Sequence, residues 1–347
     1  MEVIDVQVHL NAVGREAGLA AMDALGIDGL VIDQWPRMLA RLPNGAVRCS
    51  YDFAMEASRL YPARFAFLAR PDHRDPDLVQ LMADLQRLPG CVAIRIDQPP
   101  GAALRDGAYD LLFATAARLG FPTCVIVPGR VADIEPMIRR HDALQFIIDH
   151  AGMPLEWRPS DPQRFGPLDE LLKLARYPNV AVKWGHVTKL SAEPFPFPDV
   201  LDQLARTVDA FGRERVLWES DFTFGSGYET WGESLFSIRS AERFSDEDKA
   251  WILGRAARRA LRWDRPDDRV DAVLVAEQDW DAFHQLLART GRLASRRLRV
   301  ERVAADASVE PRGRVIGTVA LPGISPVPLA EAVAAAISGR WYPARSP

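Results

Sequence analysis

Eight short apolar runs recur along this chain, and stretches with a helical spacing of apolar residues separate most of them. The runs are rich in β-branched and aromatic residues and nearly continuous in apolar character, which is typical of strands buried on both faces. Strands that alternate with helices pair in parallel and are joined by crossovers. The predicted strands are 2–9, 28–33, 64–70, 91–96, 122–127, 144–149, 179–184 and 215–220.

The segments between these runs carry apolar residues at three- and four-residue spacing, as amphipathic helices do. Eight strand–helix units in about 265 residues predict a closed (β/α)8 TIM barrel. An open doubly wound sheet is the structural alternative, but no GxGxxG turn follows the first strand to support it. The helical segments include 50–60, 76–87, 107–119, 131–140, 167–176 and 198–211.

A charged, proline-containing segment at 262–269 predicts a domain boundary. It follows a predicted helix at 245–261, which begins with a capping-box pattern. We therefore assign 1–264 to the barrel and 265–347 to a small α+β domain. That domain could mediate dimerisation and so form a homo-oligomer, cover the barrel mouth, or bind a partner. Its predicted elements are strand 270–276, helix 279–290 with a structural His284, strands 296–304 and 312–321, and helix 329–337.

Charge and composition exclude several classes of protein. The net charge is −4, so no global field attracts nucleic acid or an anionic membrane. The N-terminus lacks the basic start and apolar core of a signal peptide, and no apolar run of about 20 residues predicts a membrane span. Cys49, Cys91 and Cys124 are widely separated and form no CxxC motif. We therefore expect a cytoplasmic protein that binds neither nucleic acid nor membranes.

Polar side chains stand at the ends of predicted strands, where a barrel of this kind builds its active site. Asp5, Gln7 and His9 alternate along the first strand and are expected to share one face. His150 follows the sixth strand, and Asp221 follows the eighth. The alternative interpretations are a buried hydrogen-bond network on the first strand and a turn cap at Asp221. We predict His9, His150 and Asp221 as the catalytic residues.

Three basic residues also end strands, namely Arg70, Arg95 and Lys183, and we call them the strand-end cations. Each alone is more often a salt-bridge partner. Their convergence at one barrel mouth would favour an anionic substrate, because guanidinium and ammonium groups bind carboxylates. His186 lies just past the seventh strand and is expected to line the mouth. Glu219 is a lesser candidate for an inward-facing carboxylate.

The chain resembles the amidohydrolase-related family, the amidohydrolase 2 branch of the amidohydrolase superfamily. The subgroup it resembles most holds 2-pyrone-4,6-dicarboxylate hydrolase and sugar lactonases. Residues 265–347 lie outside the resemblance. The matching segments, in order, are IDVQVHL at 4–10, GCVAIRIDQ at 90–98, FIIDHAGMP at 146–154, NVAVKWGHVTKLS at 179–191, RVLWESDF at 215–222 and SDEDKAWILGRAARRALRW at 245–263.

Metal-dependent members of this family bind a divalent ion through an HxH motif on the first strand, and many add a histidine at the end of the fifth. Here the motif reads Gln7-Val8-His9, and the fifth strand ends without a histidine. An amide oxygen is a poor substitute for imidazole, and a tight zinc site usually has three strong protein ligands. We therefore favour a site with no cofactor. A single Zn²⁺ or Mn²⁺ held by His9, His150 and Asp221 is the alternative.

The resemblance implies hydrolysis of a small anionic lactone or related ester. Asp221 would be the general base that activates water, and His9 and His150 would hydrogen-bond the developing oxyanion. The strand-end cations, with Gln7 and His186, complete the predicted substrate-binding set. Two alternatives remain open: a metal-dependent amidohydrolase, hydratase or non-oxidative decarboxylase, and a catalytically degenerate barrel that serves as a scaffold.

Overall fold

The computed structural model describes residues 1–35, 37–156, 159–223, 229–261 and 263, and three strands near the C-terminus. The chain divides into two compact units. The first consists of Met1–Gly18 and Leu25–Asp264, and the second of Leu19–Ala24 and Arg265–Pro347.

The first unit is a barrel of eight parallel strands that neighbour one another in chain order. Asp221 N donates to Gln7 O and His9 N donates to Phe222 O, so the segment after the last strand pairs with the first strand. The predicted strands and the (β/α)8 fold are confirmed. The strands are β1 (Ile4–Val8), β2 (Gly29–Ile32), β3 (Phe65–Ala69), β4 (Cys91–Asp97), β5 (Thr123–Ile126), β6 (Phe146–Ile148), β7 (Val180–Trp184) and β8 (Val216–Trp218).

Helices connect the strands, and the helical segments predicted within the barrel are confirmed with small shifts of their ends. The predicted helix at 245–261 contains an unpredicted π-helical turn at Trp251–Arg255. Among the described residues, no helix has both the length and the apolar character needed to cross a membrane. The α-helices are Arg15–Leu25, Asp52–Leu60, Leu78–Arg87, Gly101–Arg105, Asp110–Leu119, Glu135–Arg140, Gly166–Lys173, Pro198–Phe211, Trp231–Arg239, Asp246–Ala250 and Ala256–Ala260.

Capping boxes begin two of these helices. Ser245 accepts a hydrogen bond from Asp248 N, and the Asp248 side chain accepts one from Ser245 N. Thr230 and Glu233 make the same pair of bonds at the start of the helix after β8. Each pair satisfies backbone N–H groups that have no partner inside the helix. The predicted capping box at Ser245 is confirmed.

The apolar core fills the barrel, where alternate strand residues pack against the helix Ala256–Ala260 and Trp263. Close packing of this kind makes every strand sensitive to a loss of volume. The core residues are Ile4, Val6, Val31, Ala66, Leu68, Ala93, Cys124, Ile147, Ala181, Leu217, Ala256, Ala257, Ala260, Leu261 and Trp263.

The first strand departs from the expected alternation. The register of β1 against β2 shifts after Asp5. Val6 packs in the barrel core, and Asp5 accepts hydrogen bonds from the side chains of Ser220 (2.5 Å) and Trp231 (2.8 Å). A local irregularity breaks the period of two that places alternate residues on one face. The expectation that Asp5 shares a face with Gln7 is therefore wrong.

An antiparallel hairpin, Arg37–Arg41 and Val47–Ser50, follows β2 and was not predicted. Its first strand is almost entirely exposed, so no buried face imposes a pattern on its sequence. Strands of this kind escape a search for apolar periodicity.

The second unit contains three parallel strands, which correspond to the three predicted in this region. They are β9 (Asp271–Ala276), β10 (Leu298–Val303) and β11 (Val315–Val319), with β9 in the centre. Their pairing did not follow from the sequence pattern. The predicted helices at 279–290 and 329–337, with His284, lie outside the described residues.

Leu217 and Leu39 offer a matched test of this packing. Leu217 is fully buried at 0% exposure, whereas Leu39 is 72% exposed on the hairpin. Leu217→Ala should lower the free energy of unfolding by about 2–5 kcal/mol, because it leaves a cavity in the barrel. Leu39→Ala should change it by less than about 0.5 kcal/mol. Urea denaturation followed by tryptophan fluorescence measures both, and equal losses would contradict the assignment of Leu217 to the core.

Candidate active site

Asp221 follows β8 and contacts several imidazoles. Its Oδ1 lies 3.2 Å from His9 Nε2 and accepts a hydrogen bond from Gln7 Nε2 at 3.0 Å. Its Oδ2 lies 3.1 Å from His186 Nδ1 and 3.9 Å from His150 Nε2. The structure thus brings together the three residues predicted as catalytic and two of those predicted to bind substrate.

Sharp turns at the strand ends position three of these side chains. His150, His186 and Asp221 adopt φ values of +54°, +59° and +55°. This left-handed region costs a non-glycine residue of order 1–3 kcal/mol and is common at functional sites. Gly185, just before His186, permits the close approach of the β7 and β8 ends, because a Cβ at that position would lie 2.1 Å from the carbonyl oxygen of Glu219.

His9 is held from two sides. Its Nδ1 donates to the carbonyl oxygen of Asp33 at 2.7 Å. Its ring stacks on Trp35, with the ring centroids 4.3 Å apart. These contacts direct Nε2 of His9 towards Asp221, 3.2 Å away.

His150 is paired with Glu219, the lesser candidate of the sequence analysis. Glu219 Oε1 lies 2.6 Å from His150 Nδ1 and accepts a hydrogen bond from the His150 backbone N at 2.9 Å. Burial opposes protonation of this imidazole, but the charges of Glu219 and Asp221 outweigh it and raise the pKa of His150. His150 is therefore more inclined than His186 to carry a positive charge, because burial lowers the pKa of His186.

Asp221 stays ionised although it is buried. Burial would raise the pKa of Asp221, but the positive charge of His150 and hydrogen bonds from His186 and His9 hold it well below its usual range. Burial lowers the pKa of His186, so that ring favours its neutral form. The site thus combines a carboxylate, a charged imidazole and a neutral one.

The strand-end cations are all paired with buried carboxylates. Arg95 donates to Asp149 at 2.6 Å and to Asp33 at 2.7 Å. Lys183 Nζ lies 3.0 Å from Asp149 Oδ1. Arg70 forms two hydrogen bonds to Asp33, of 2.6 and 3.0 Å, and its side chain is still 11% exposed. Arg70 is therefore the most accessible of the three, and the predicted role of these cations in substrate binding stays a prediction.

Ion pairs shift the pKa values of the buried charged groups. Burial disfavours a charge on Lys183, yet Asp149 and Glu219 outweigh it and raise the pKa of the lysine. Burial would likewise raise the pKa of Asp33, but Arg95 and Arg70 bring it below its usual range. The carboxylates of Asp33 and Asp149 are thus each paired with two of the strand-end cations.

The sequence analysis passed over Asp33 and Asp149 as functional residues. Both directly follow a strand, β2 and β6, so the rule that singled out His150 and Asp221 also applied to them. Their importance became visible only through their partners on other strands, which no single segment shows.

Comparison with known proteins agrees with this architecture. The family model described as Amidohydrolase matches residues 4–263. The chain belongs to the amidohydrolase family. The resemblance stated from the sequence is thereby confirmed, and residues 265–347 of this amidohydrolase lie outside the match. No protein with a curated description matches the chain.

Solved structures share the barrel at low identity. A zinc-bound amidohydrolase from Burkholderia multivorans is 18% identical, with a TM-score of 0.60, over 76% of this chain and 99% of that one. A probable 2-pyrone-4,6-dicarboxylic acid hydrolase from Acinetobacter baumannii, with citric acid bound, is 16% identical with a TM-score of 0.58, over 76% and 100%. A 4-oxalomesaconate hydratase from Rhodopseudomonas palustris is 17% identical with a TM-score of 0.51, over 75% and 96%.

Glu219→Gln tests the pairing with His150. The variant keeps a hydrogen-bond acceptor and removes the negative charge, so burial should dominate and the pKa of His150 should fall. NMR titration of labelled histidines measures this pKa, with the signal assigned by comparison with His150→Gln. Glu247→Gln, at an exposed surface position paired with Arg255, is the matched control and should leave the titration unchanged. An unchanged titration in Glu219→Gln would rule out the pairing.

Proposed function

We propose that this amidohydrolase hydrolyses a lactone or related ester of a small carboxylate-bearing compound, with Asp221 as the general base. The observation that carries the proposal is one ionised carboxylate in contact with His9, His150 and His186 at the strand ends. Active sites of (β/α)8 barrels lie at this end of the strands.

The reaction needs one proton acceptor and one stabilised oxyanion. A water molecule attacks the carbonyl carbon and gives a proton to Asp221. The charged His150, held by Glu219, stabilises the negative oxygen of the tetrahedral intermediate. The C–O bond to the leaving oxygen then breaks, and Asp221 returns its proton to that oxygen. His9 donates to the same oxyanion or orients the water.

An anionic substrate fits the electrostatics of Asp221. A general base works best when its pKa lies near the working pH, and the pKa of Asp221 in the free protein is far below that. A substrate carboxylate placed nearby would raise the pKa of Asp221 by like-charge repulsion. Two solved neighbours are named as 2-pyrone-4,6-dicarboxylic acid hydrolases, and one of them holds citric acid. Arg70, the accessible strand-end cation, is the first candidate to bind such a carboxylate.

We further propose that the reaction needs no metal, because Gln7 does not offer a ligand. Its Nε2 donates to Asp221, and its Oε1 accepts from Lys183 Nζ at 2.7 Å. Both polar atoms of the Gln7 amide therefore already have partners, and the positive charge of Lys183 beside Oε1 would repel a metal cation. Among the described residues, no three His, Cys, Asp or Glu side chains are arranged to hold a metal ion.

A metal-dependent hydrolase or hydratase is the second candidate, and one observation favours it. His9 donates through Nδ1 to a backbone carbonyl, as histidine ligands of metals often do with the ring nitrogen that does not bind the metal. Its other nitrogen, Nε2, faces Asp221. His9, His150 and Asp221 would then hold a Zn²⁺ or Mn²⁺ ion. The zinc in the Burkholderia structure makes this alternative worth testing.

Asp221→Asn should reduce kcat/KM by at least about 10²-fold, because the amide cannot accept a proton. The variant should keep the circular dichroism spectrum of the wild type, because Asn has nearly the same shape as Asp. The assay is hydrolysis of a panel of lactones that includes 2-pyrone-4,6-dicarboxylate. Asp169→Asn, at an exposed helix position, is the control and should keep full activity. Retained activity in Asp221→Asn would refute the assignment of the base. No turnover by the wild type on any lactone would favour the scaffold hypothesis.

Metal dependence is tested on the same reaction. Protein purified without added metal should contain less than about 0.1 equivalent of zinc or manganese by elemental analysis, since a tight site usually needs three strong ligands. Overnight treatment with EDTA should leave kcat unchanged. Stoichiometric metal, with activity lost to EDTA and restored by Zn²⁺ or Mn²⁺, would establish the second candidate instead.

A further inference from the structure

Lys189 differs from every other buried cation in the barrel mouth. It lies in the short 3-10 turn Thr188–Leu190 that follows β7, and only 2% of the residue is exposed. Within the described part of the chain, its Nζ has no hydrogen-bond partner. A buried ammonium normally forms several hydrogen bonds, so its isolation calls for an explanation.

The protein's own buried carboxylates do not supply a partner. The strand-end cations are each within 3.0 Å of a carboxylate oxygen, on Asp33 or Asp149. Asp221 contacts His9, His150 and His186, and Glu219 contacts His150 and lies 3.7 Å from Lys183. Among the described residues, an ammonium at Lys189 therefore has no carboxylate in hydrogen-bond contact in the free protein.

Lys189 lies on the same strand-end loop as His186, which contacts Asp221. Burial lowers the pKa of Lys189 to about 7, against the attraction of Asp221 and of the exposed Glu156. In turn, the charge of Lys189 contributes to the lowered pKa of His186. The charges of Lys189, His186 and Asp221 thus influence one another.

We propose that Lys189 binds a carboxylate of the substrate and that this anion supplies the hydrogen-bond partner that the lysine lacks in the free protein. This inference rests on the proposed hydrolysis of an anionic lactone and adds the group that recognises the anion. The ammonium would donate two or three hydrogen bonds to the carboxylate, and burial would strengthen each of them. Arg95 and Lys183, paired and almost fully buried, would then mainly hold the buried acids in place, and the more accessible Arg70 could bind a second carboxylate.

Citrate is the first probe, because the Acinetobacter relative holds citric acid and because citrate is not hydrolysed. Lys189→Met keeps the length of the side chain and removes the charge. It should weaken citrate binding by about 10- to 100-fold in isothermal titration calorimetry, the range expected for hydrogen bonds to a charged group. Lys189→Arg should recover part of the affinity. Lys173→Met, on an exposed helix face, is the matched control and should bind like the wild type.

Kinetics on a hydrolysed lactone give a second readout. With 2-pyrone-4,6-dicarboxylate, Lys189→Met should raise KM by a similar factor and change kcat less, since Asp221 and His150 remain. A wild-type spectrum in which citrate shifts the Lys189 ¹³Cε signal, assigned with Lys189→Arg, supports the contact without relying on the folding of Lys189→Met.

The outcomes separate this inference from the proposed function. Loss of citrate binding in Lys189→Met supports the anion site even if no lactone is hydrolysed. Lactone hydrolysis with an unchanged KM and unchanged citrate affinity in Lys189→Met overturns the anion site and leaves the proposed function standing. Failure of the wild type to bind both citrate and 2-pyrone-4,6-dicarboxylate also overturns it.

Discussion

Charge compensation in the barrel mouth is the interaction on which the site depends. Asp33 and Asp149 lie after β2 and β6 and hold arginine and lysine side chains that come from β3, β4 and β7. Removing one partner of such a buried pair leaves an uncompensated charge, which costs far more than the pair itself contributes. These buried ion pairs therefore hold five strand ends together around the site.

The barrel separates its apolar core from its charged side chains. Apolar side chains fill the barrel next to the helix Ala256–Ala260, whereas charged side chains occupy the ends of the strands. Asp221 belongs to the charged layer, but it contacts three imidazoles, whereas Asp33 and Asp149 contact arginine or lysine. Imidazole can change its protonation near neutral pH, and guanidinium cannot. The surroundings of Asp221 can therefore change charge near neutral pH, and those of Asp33 cannot.

Much of the fold followed from local sequence, because burial on both faces imposes apolar runs that are easy to read. The hairpin after β2 has an exposed first strand and so carries no such pattern. The site was partly predictable as well, since His150 and Asp221 stand directly at strand ends. Asp5 was misplaced because a shift of register is a property of two strands together. The lack of a hydrogen-bond partner for Lys189 among the described residues could not be predicted, because it depends on which side chains lie near Lys189 in the folded protein.

The glycine that precedes His186 has a mechanical consequence. The backbone of Gly185 approaches the carbonyl of Glu219 more closely than any side chain would allow. The outgoing ends of β7 and β8 thus meet backbone to backbone, and a side chain at position 185 would push them apart. The 3.1 Å spacing between His186 and Asp221, one on each end, therefore depends on a residue that takes no part in it.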